Sequence, residues 1–406
     1  MSLNIKKSWL NEIYKASSHL LPFSEFKLFF LQYFSFEQKP FIITVGGTNG
    51  KGSVVGLLEH ILVKSNTSVV VNTSPHLQDY NERVKLNGIS IDDDLLIESF
   101  EYIDKCAKKQ GIKLGFAHYA FLLVCYVAKI KMPEILVLEV GLGGKIDPSN
   151  CLDADIAVIT NVDLDHMHLL GNTRDEIALN KLGIAREGKP LVIGDPAPPS
   201  ALLEHVDAHD FKAYFIGEDY EVVEGMPHNH IHENNRATAL KVCELIKDQK
   251  PQILFNKNID LDNFHVRGRC QLIEYKGHKI LIDVAHNEQA VSHLKAQILE
   301  LKQKHNYKVS TLFSAMGEKD IQGMRSLMNP VVDQWHLWSM ENYDARALSL
   351  SALQAFFQDD APYAHREGLF ELVFKDILDG LSEDELLVVF GSFVLVGECL
   401  NYLGKK

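Results

Sequence analysis

The stretch Gly46-Gly47-Thr48-Asn49-Gly50-Lys51-Gly52-Ser53 carries the residue types that bind phosphate. Glycines let the backbone approach an oxyanion, the start of a helix presents unpaired N–H groups, and a lysine adds a positive charge. The general pattern G-x-x-x-x-G-K-[ST] would place a glycine at Val45 and a hydroxyl at position 52, whereas the hydroxyl here comes at Ser53. The stretch predicts a phosphate cradle with one extra glycine; a glycine-rich turn that binds nothing is the alternative.

The runs on either side of this loop predict the elements that position it. Phe41–Val45 is short, β-branched and followed by glycine, which is typical of a buried strand. From Val54 to Leu62, apolar residues recur at the spacing of an α-helix. A strand, a glycine turn and a helix in this order are the usual frame of a phosphate-binding loop.

Polar clusters also follow three further apolar runs. Ser68–Asn72, Ile135–Leu138 and Ile156–Ile159 predict strands, and polar residues follow at 73–76, 139–147 and 160–166. Helical patterns alternate with the strands, so we predict an α/β fold with a mostly parallel sheet covered on both faces. Ligands of such sheets bind beyond the carboxyl ends of the strands, which is where these clusters fall.

Four side chains in these clusters could hold Mg²⁺, namely Ser53, Ser74, Glu139 and His166. Magnesium in proteins usually takes one or two carboxylates together with substrate phosphate, and an imidazole is a less usual ligand for it. As alternatives, His166 is a hydrogen-bonded loop histidine, and Glu139 caps a helix or forms a salt bridge. Lys181 lies in a predicted helical stretch, Asp175–Arg186, and its pattern alone indicates a surface lysine.

The remaining elements predict a second domain. At 406 residues the chain is too long for one ordinary core. A second sheet begins near residue 265, so we place the boundary at Asn263–Gly268 and predict domains 1–264 and 265–406. The stretch 195–232 has little pattern. Outside the first strands, we predict helices at 5–34 (two), 92–109, 116–130 and 234–246, a hairpin of 272–275 with 279–284, and strands at 309–313, 335–338 and 386–390.

Two candidates fall in this second domain. Asp283-Val284-Ala285-His286-Asn287 closes a predicted strand, where polar residues are not needed for packing. Arg269 lies at the inferred domain junction, a common place for a charge that reaches a ligand. The run containing His228, His230 and His232 is interpreted as a solvated polar loop, with a metal site as the alternative.

The composition of the chain argues against several classes of function. The net charge of −13 argues against a nucleic-acid surface, and the six cysteines, with no C-x-x-C pair, indicate reduced thiols. The N-terminus lacks a signal-type core, and the longest apolar runs are shorter than the roughly 18 residues that a membrane span needs. We therefore expect a cytoplasmic protein that binds neither nucleic acid nor membrane.

Taken together, the motifs resemble the folylpolyglutamate synthase/dihydrofolate synthase family of the Mur ligase superfamily. They run in the family's order, and the extra glycine before Ser53 is the family's own version of the loop. The matching segments are 47–53, Ser74-Pro75-His76-Leu77 with Glu82-Arg83-Val84, 138–144, Leu164-Asp165-His166, Lys181 before Gly183-Ile184, Asn235-Arg236-Ala237, Gly268-Arg269-Cys270-Gln271, 283–287, Lys319-Asp320 and Gly391-Ser392-Phe393.

The resemblance implies two α/β domains, an N-terminal P-loop ATPase domain of Mur-ligase type and a C-terminal Rossmann-like domain. It implies an ATP-dependent amide ligase in which ATP phosphorylates a carboxylate of pteroate or folate. The amine of L-glutamate then attacks the acyl phosphate. ATP and Mg²⁺ are the implied cofactors, small molecules are the implied partners, and we expect a monomer.

Residue roles follow by position in the motifs. The resemblance implies that Lys51 and the loop N–H groups of 48–53 hold phosphate, and that Glu139 and His166 bind magnesium with Ser53 and Ser74. Lys181 falls where many members carry a carbamylated lysine, which would add a further metal ligand. The other implied contacts are adenine for Asn235, phosphate for Arg269 and His286, ribose for Asp283, and the glutamate end for Arg83 and Ser392.

Three departures from the family's pattern lie on the pterin side. The chain has Ala117-His118 where the family often has Phe-Glu, and Ile146-Asp147-Pro148-Ser149-Asn150 where it often has Leu-Asp-Ala-Thr-Asn. The family's Asp-Leu-Gly-Leu-Glu-Arg pattern is not recognisable in residues 20–34. His118, Asp147 and Pro148 are thus the candidates for contacts with the acceptor.

Two other functions remain open from the sequence. One is a Mur-type ligase that acts on a different carboxylate, which only the departures at 117–118 and 148 favour. The other is a nucleotide-binding protein that has lost ligase activity. The presence of Lys51, Glu139, His166 and Lys181 argues against that loss.

Overall fold

The computed structural model describes residues 2–16, 21–222, 231–256, 258–261, 263–357 and 363–404. The chain forms two compact units. The first comprises the described residues of 1–76, 80–227 and 232–264, and the second those of 77–79, 228–231 and 265–406. Among the residues that the structure describes, none of the helices combines the length and the apolar character needed to cross a bilayer.

The first unit is built on an eight-stranded sheet. Its strands are β1 Phe41–Gly46, β2 Val69–Asn72, β3 Val84–Leu86, β4 Ile89–Ser90, β5 Ile135–Glu139, β6 Ile156–Ile159, β7 Pro190–Ile193 and β8 Lys212–Phe215. The spatial order is β4-β3-β2-β5-β1-β6-β7-β8, antiparallel at β2–β3 and β3–β4 and parallel elsewhere. The predicted mostly parallel sheet is confirmed.

Helices cover both faces of this sheet. They are α1 Ser2–Lys15, α2 Phe23–Tyr33, α3 Lys51–Lys64, α4 Asp93–Gln110, α5 Phe116–Lys131, α6 Met167–Leu170, α7 Arg174–Leu182, α8 Ser200–Ala208 and α9 Glu233–Gln249. In β1, Ile42 packs into one apolar cluster with residues of α2, α4 and α5, while Ile43 packs into another with residues of α3 and α9. Burial on both sides explains why β1 is a continuous apolar run.

Local signals set several helix ends. The Asp92 side chain accepts a hydrogen bond from the Leu95 N–H at the start of α4, as its predicted capping role requires. The predicted helical stretch Asp175–Arg186 is too long, because α7 ends at Leu182. A Cβ at Gly183 would lie 2.5 Å from the Cα of Lys145, so a loop packs against the end of this helix. The weakly patterned stretch 195–232 contains α8 and β8, which its sequence did not predict.

The second unit has a six-stranded sheet. Its strands are β9 Gln271–Tyr275, β10 His278–Asp283, β11 Lys308–Phe313, β12 Gln334–Trp338, β13 Tyr363–Arg366 and β14 Glu385–Phe390, in the order β13-β12-β11-β14-β10-β9. The predicted hairpin is confirmed, since β9 and β10 pair antiparallel across Lys276 and Gly277, both with positive φ. The strand β13 was not predicted from the sequence. Helices α10 Glu288–His305, α11 Ile321–Met328, α12 Leu350–Ala355, α13 Phe370–Gly380 and α14 Phe393–Gly404 complete the unit.

Strand register brings the polar clusters of the first unit to one edge. Val45 of β1 is paired with Glu139 of β5 and with Val158 of β6, and Asn72 of β2 is paired with Leu138. The strands therefore end level with one another, and the segments that follow them begin side by side. This confirms the predicted common edge.

Candidate functional site

The phosphate loop connects β1 to the start of α3. Gly50 has a left-handed backbone with φ 82°, and Gly47 has φ 145°. A Cβ at Gly50 would lie 2.3 Å from the Oδ1 of Asn235, and one at Gly47 would lie 1.8 Å from the Oγ1 of Thr160. Both the backbone angles and the lack of space require glycine here. Asn235, predicted to contact the nucleotide, thus lies directly against the loop.

The segment after β6 holds this loop in place. The N–H groups of Thr48 and Asn49 both donate to the Oδ1 of Asn161, at 3.2 and 2.8 Å. The Thr160 hydroxyl donates to the Asn49 carbonyl at 2.6 Å, and the Asp163 N–H donates to the Thr48 hydroxyl at 3.0 Å. Thr160 and Asn161 were not among the predicted site residues, although both lie in the polar cluster that follows a predicted strand.

Lys51 begins α3 and reaches back over the loop. Its Nζ donates to the carbonyls of Gly47 and Thr48 at 2.9 and 3.0 Å. Ser53, one turn into the helix, is buried. The cradle therefore presents a lysine and the N-terminus of a 14-residue helix on the same side, an arrangement that suits a polyphosphate.

Glu139 and Ser74 meet at the neighbouring strand ends. Glu139 is only 5 % exposed, and its Oε2 accepts a hydrogen bond from the Ser74 N–H at 2.9 Å. The Glu139 N–H donates to the Oδ1 of Asn72 at 3.0 Å, which fixes the backbone at this point. The structure thus places the Glu139 carboxylate against the backbone of Ser74, and the metal site itself stays a prediction.

His166 lies at the start of α6 with a left-handed backbone, φ 49°. Its N–H donates to the Oδ1 of Asp165 at 2.9 Å, and its Nε2 lies 3.9 Å from the Oδ2 of the same residue. The described residues hold no group of three or more His, Cys, Asp or Glu side chains that could bind a metal ion by itself. A magnesium ion shared with substrate phosphate needs fewer protein ligands than such a group, and the set of Ser53, Ser74, Glu139 and His166 stays a prediction.

Lys181 is buried, not exposed as its pattern alone suggested. It lies in the last turn of α7 and is 3 % exposed. Burial, together with the charge of Lys51, lowers the pKa of Lys181 to about 7, against an opposing effect of Asp165. The loop after β5 encloses this end of the helix, since a Cβ at Gly144 would lie 2.7 Å from the Lys181 carbonyl oxygen. The charges of Lys51, Asp165 and Lys181 thus act on one another within one region.

Two predicted acceptor contacts are engaged by the protein itself. Asp147 accepts hydrogen bonds from the N–H groups of Leu142 and Ser149 and caps the short helix that begins at Pro148. Burial raises the pKa of Asp147. His118 accepts from the Gly115 N–H at 3.0 Å and lies 4.4 Å from the ring of Phe26.

Burial lowers the pKa of His118 to about 4, so its ring is neutral at pH 7. Arg83 is also buried, and its Nε donates to the Nδ1 of His76 at 2.9 Å. Of the histidine-rich run, His228 and His230 lie outside the described residues. His232 accepts a hydrogen bond from the Asn234 N–H at the start of α9.

In the second unit, the three predicted nucleotide contacts are Arg269, Asp283 and His286, and two of them lie at the end of β10 and in the turn that follows it. The Asp283 carboxylate accepts from the N–H groups of Cys270 and Ala285, each at 2.6 Å. The Arg269 guanidinium lies 5.4 Å from the centre of the Phe393 ring, and the His286 ring lies 5.9 Å from it.

His286 also bonds the Val284 carbonyl through its Nδ1 at 2.8 Å. Ser392 is buried; its hydroxyl accepts from the Leu395 N–H at 3.0 Å and lies 2.9 Å from the Sδ of Met340. Ser392 therefore has a hydrogen-bonding role at the start of α14.

Comparisons with known proteins agree with this description. Residues 268–393 match the family model described as Mur ligase, glutamate ligase domain. The chain is 30 % identical to a dihydrofolate synthase/folylpolyglutamate synthase of Haemophilus influenzae, over 88 % of each chain.

Solved structures are also similar over nearly the whole chain. One is Escherichia coli FolC in complex with DHPP and ADP; it is 26 % identical with a TM-score of 0.88, and the match covers 98 % of this chain and 97 % of that one. Another is a bifunctional folylpolyglutamate synthase/dihydrofolate synthase with Mn, AMPPNP and L-glutamate bound, 27 % identical with a TM-score of 0.86 and 98 % coverage of both chains.

These matches confirm the predicted two-domain α/β fold and the predicted class, an ATP-dependent acid–amino-acid ligase. They agree with the ordered motifs, which extend from the phosphate loop to Ser392. The chain belongs to the dihydrofolate synthase/folylpolyglutamate synthase family.

Proposed function

We propose that this protein joins L-glutamate to dihydropteroate, to folates, or to both, using ATP and a divalent metal and releasing ADP and phosphate. The observation that carries the proposal is the meeting, at one sheet edge, of the glycine cradle with Glu139 and the buried Lys181. The relatives that resemble this chain over most of its length bear these two activities in their names. The structures with ADP, and with AMPPNP, Mn and L-glutamate, are of such relatives.

The reaction balances without a nucleophilic side chain. A carboxylate oxygen of the acceptor attacks the γ-phosphorus and ADP leaves, which gives an acyl phosphate. The glutamate amine, having lost a proton, attacks the acyl carbon, and the C–O bond to phosphate breaks as the amide forms. The protein's contribution is to hold and orient the reactants and to place positive charge around the transferring oxygens.

In this reaction Lys51 and the loop N–H groups would hold the triphosphate. Glu139, His166, Ser53 and Ser74 would hold magnesium, which when bound neutralises charge on the phosphate oxygens. These roles are supported by the hydrogen bond between Ser74 and Glu139 and by the burial of Ser53.

Lys181 would join the metal ligands as a carbamate. Support comes from its burial beside charged groups and from a pKa of about 7, which leaves part of the amine neutral at physiological pH. The neutral amine is the form that reacts with carbon dioxide. A carbamate carbon signal in ¹³C NMR with labelled bicarbonate, absent in Lys181→Met, is the expected result.

The other predicted contacts complete the proposal. Asn235 would contact adenine, Asp283 the ribose, and Arg269 and His286 the phosphates. Each Asp283 oxygen accepts one backbone N–H, which leaves lone pairs for hydroxyl groups. The remaining assignments are His118, Asp147 and Pro148 on the acceptor side, with Arg83 and Ser392 towards glutamate. We also propose a cytoplasmic monomer.

The test supplies purified protein with Mg²⁺, ATP and L-glutamate, and either dihydropteroate or tetrahydrofolate. Mass spectrometry should find the acceptor plus one glutamate, with one ADP formed for each amide bond, and neither product when glutamate is omitted. ATP binding without turnover on any pterin acceptor would contradict the proposal and favour a nucleotide-binding protein without ligase activity. Turnover only with a carboxylate of another kind would favour a different Mur-type ligase.

A further inference from the structure

An arginine and an aspartate of the first unit hold the same two backbone segments. Arg174 begins α7, and its Nη2 lies 3.2 Å from the Oδ2 of Asp195, which follows β7. Asp195 accepts hydrogen bonds from the N–H groups of Val162 at 2.8 Å and Ala197 at 3.0 Å. Arg174 donates to the carbonyls of the same two residues, each at 2.9 Å. The pair, which we call the Arg174–Asp195 clamp, thus binds the N–H and the carbonyl of both Val162 and Ala197.

The clamp is built from strong and directional contacts. Asp195 is buried, and both of its carboxylate oxygens accept hydrogen bonds. Bonds to a charged group are shorter and stronger than neutral ones, and the planar guanidinium donates in fixed directions. The side chain of Val162 is also buried, so packing fixes its place in the core while the clamp fixes the orientation of its peptide groups.

Val162 lies between two residues that anchor the phosphate loop. Before it, Asn161 accepts the N–H groups of Thr48 and Asn49 through its Oδ1. After it, the Asp163 N–H donates to the Thr48 hydroxyl at 3.0 Å, and the Asp163 carbonyl lies 3.1 Å from the same hydroxyl. A rotation of the Val162 peptide groups would therefore move the groups that hold the first half of the loop.

A comparable aspartate lies at the opposite edge of the same sheet. Asp155 directly precedes β6, accepts a hydrogen bond from the Ile42 N–H at 3.0 Å and lies 3.2 Å from the Nζ of Lys189. It joins β1 and β6 near their amino ends, whereas the phosphate loop follows the carboxyl end of β1. Asp155 is therefore a matched control, since it braces the same strands at the edge away from the loop.

From these contacts we infer that Arg174 and Asp195 are positioning residues for nucleotide binding, which act through Asn161 on the phosphate loop. The inference rests on the proposed function and deepens it, because it names the residues that keep the loop in its binding conformation. A loop that is ordered before binding loses less conformational freedom when it receives a triphosphate. Without the clamp, part of the binding free energy would be needed to order the loop, and the affinity would fall.

The test measures the affinity of the full-length protein for AMPPNP with Mg²⁺ by titration calorimetry. Asp195→Asn and Arg174→Lys should each bind about 3- to 30-fold more weakly than the wild type, whereas Asp155→Asn should bind equally well. Lysine keeps the charge but lacks the planar fork that reaches two carbonyls, so charge alone should not restore the affinity. Because the Arg174 side chain is half-exposed, its variant should fold even if Asp195→Asn does not.

A double-mutant cycle tests whether the clamp acts through Asn161. Asn161→Ala alone should also weaken the binding of AMPPNP. Adding Asp195→Asn to that variant should change the affinity by less than about 2-fold, because the contact that transmits the effect is already lost. A purely structural role would instead give the same loss with and without the Asn161 side chain.

Hydrogen exchange in the absence of nucleotide provides a second readout. A peptide that covers residues 46–53 contains the N–H groups held by Asn161. These amides should exchange at least about 3-fold faster in both clamp variants, and at the wild-type rate in Asp155→Asn. Faster exchange confined to the clamp variants would show that the clamp orders the loop.

Three results would overturn the inference. They are an unchanged affinity or exchange rate in the folded clamp variants, an equal loss of affinity in Asp155→Asn, and a loss that is undiminished in the Asn161→Ala background. Failure of the proposed function is seen separately, as a wild type that forms no ADP with any pterin acceptor, because the binding and exchange experiments do not depend on turnover.

Discussion

The two units use their polar groups in different ways. In the first unit, Arg83 and Lys181 are buried charges that form no ion pair within the described part of the chain. In the second unit, Asp283 and Ser392 are buried but accept hydrogen bonds from nearby backbone N–H groups. Burying Arg83 and Lys181 therefore reduces the stability of the fold in the absence of a ligand, whereas Asp283 and Ser392 stabilise the turns that contain them.

Because of this difference, substitutions in the two units should affect either ligand binding and turnover or the stability of the fold. Removing a buried, unpaired charge should reduce ligand binding or turnover and leave the fold as stable or more stable. Removing a group that caps a turn should lower stability whether or not the group also touches substrate. Substitutions in the two units can therefore be ranked by which of the two quantities they change.

The largest effect is expected from Lys51→Ala in the first unit. Losing this charge from the phosphate cradle should reduce turnover by about 1,000-fold or more, because the lysine would stabilise the transferring phosphoryl oxygens. The melting temperature should change little. Lys64→Ala, at the exposed end of the same helix α3, should retain activity. Comparable rates in the Lys51 and Lys64 variants would contradict the assignment of the cradle.

Lys181→Met should increase stability at neutral pH while reducing turnover. The native pKa of about 7 lies below the ordinary value of 10.5, so the unfolded chain binds more protons between these pH values. The penalty on folding is full below about pH 7 and is lost as the pH rises towards 10.5. The variant should be more stable by a few kcal/mol at pH 7, and the difference should shrink by pH 9.5.

Urea denaturation of both proteins in buffer depleted of carbon dioxide measures this difference. The depletion prevents a carbamate from masking the titration of the amine. A stability difference that stays constant from pH 7 to 9.5, or a less stable variant at pH 7, would show that the amine is not held in a strained, buried state.

Gly50→Ala should lower the free energy of unfolding more than the same substitution at Gly217. Gly50 and Gly217 have almost the same backbone, with φ of 82° and 83°. A Cβ at Gly50 would meet Asn235 at 2.3 Å, whereas a Cβ at Gly217 meets nothing within 4 Å. At either position, alanine at a positive φ should lower the free energy of unfolding by about 1 kcal/mol. Only Gly50→Ala should lose roughly a further 1–3 kcal/mol through steric strain against Asn235.

Chemical denaturation and ATP affinity distinguish the two glycine variants. Only Gly50→Ala should also weaken ATP binding, since its strain is relieved by moving the loop. Equal stability losses and equal affinities in the pair would mean that Asn235 does not constrain the loop.

The smallest effect is expected from Ser392→Ala in the second unit. Ser392 and Ser349 both accept a hydrogen bond from a backbone N–H three residues on, at 3.0 and 3.2 Å. Each alanine should therefore cost about 1 kcal/mol of stability. If Ser392 also lies towards glutamate, only its variant should raise the KM of L-glutamate. A rise in both variants would attribute the effect to loss of stability.

Much of the fold was predictable because its signals are local. The strand ends at Val45, Leu138 and Ile159 were predicted to within one residue, since β-branched runs that end in polar residues need no distant information. The strands β3, β4, β7, β8 and β13 and the helix α8 were not predicted, because such short elements show little periodicity. The predicted end of α7 was four residues late, since it depends on packing between Gly183 and Lys145.

The candidate site shows the same division. Its glycines and the residues of its motifs could be found from the sequence. The anchoring of the loop by Asn161 could not, because nothing local indicates which polar residue after a strand will turn back to it.

By itself, the sequence determined the α/β class, the phosphate loop and the sheet edge at which the polar clusters gather, because backbone angles and hydrophobic period are properties of neighbouring residues. Only the tertiary structure decided which charged groups are buried there. Lys181 is enclosed by a loop that precedes it by more than 30 residues, and the rings around Arg83 come from separate elements. Burial and pKa depend on what the rest of the chain brings close, and that is not contained in any local pattern.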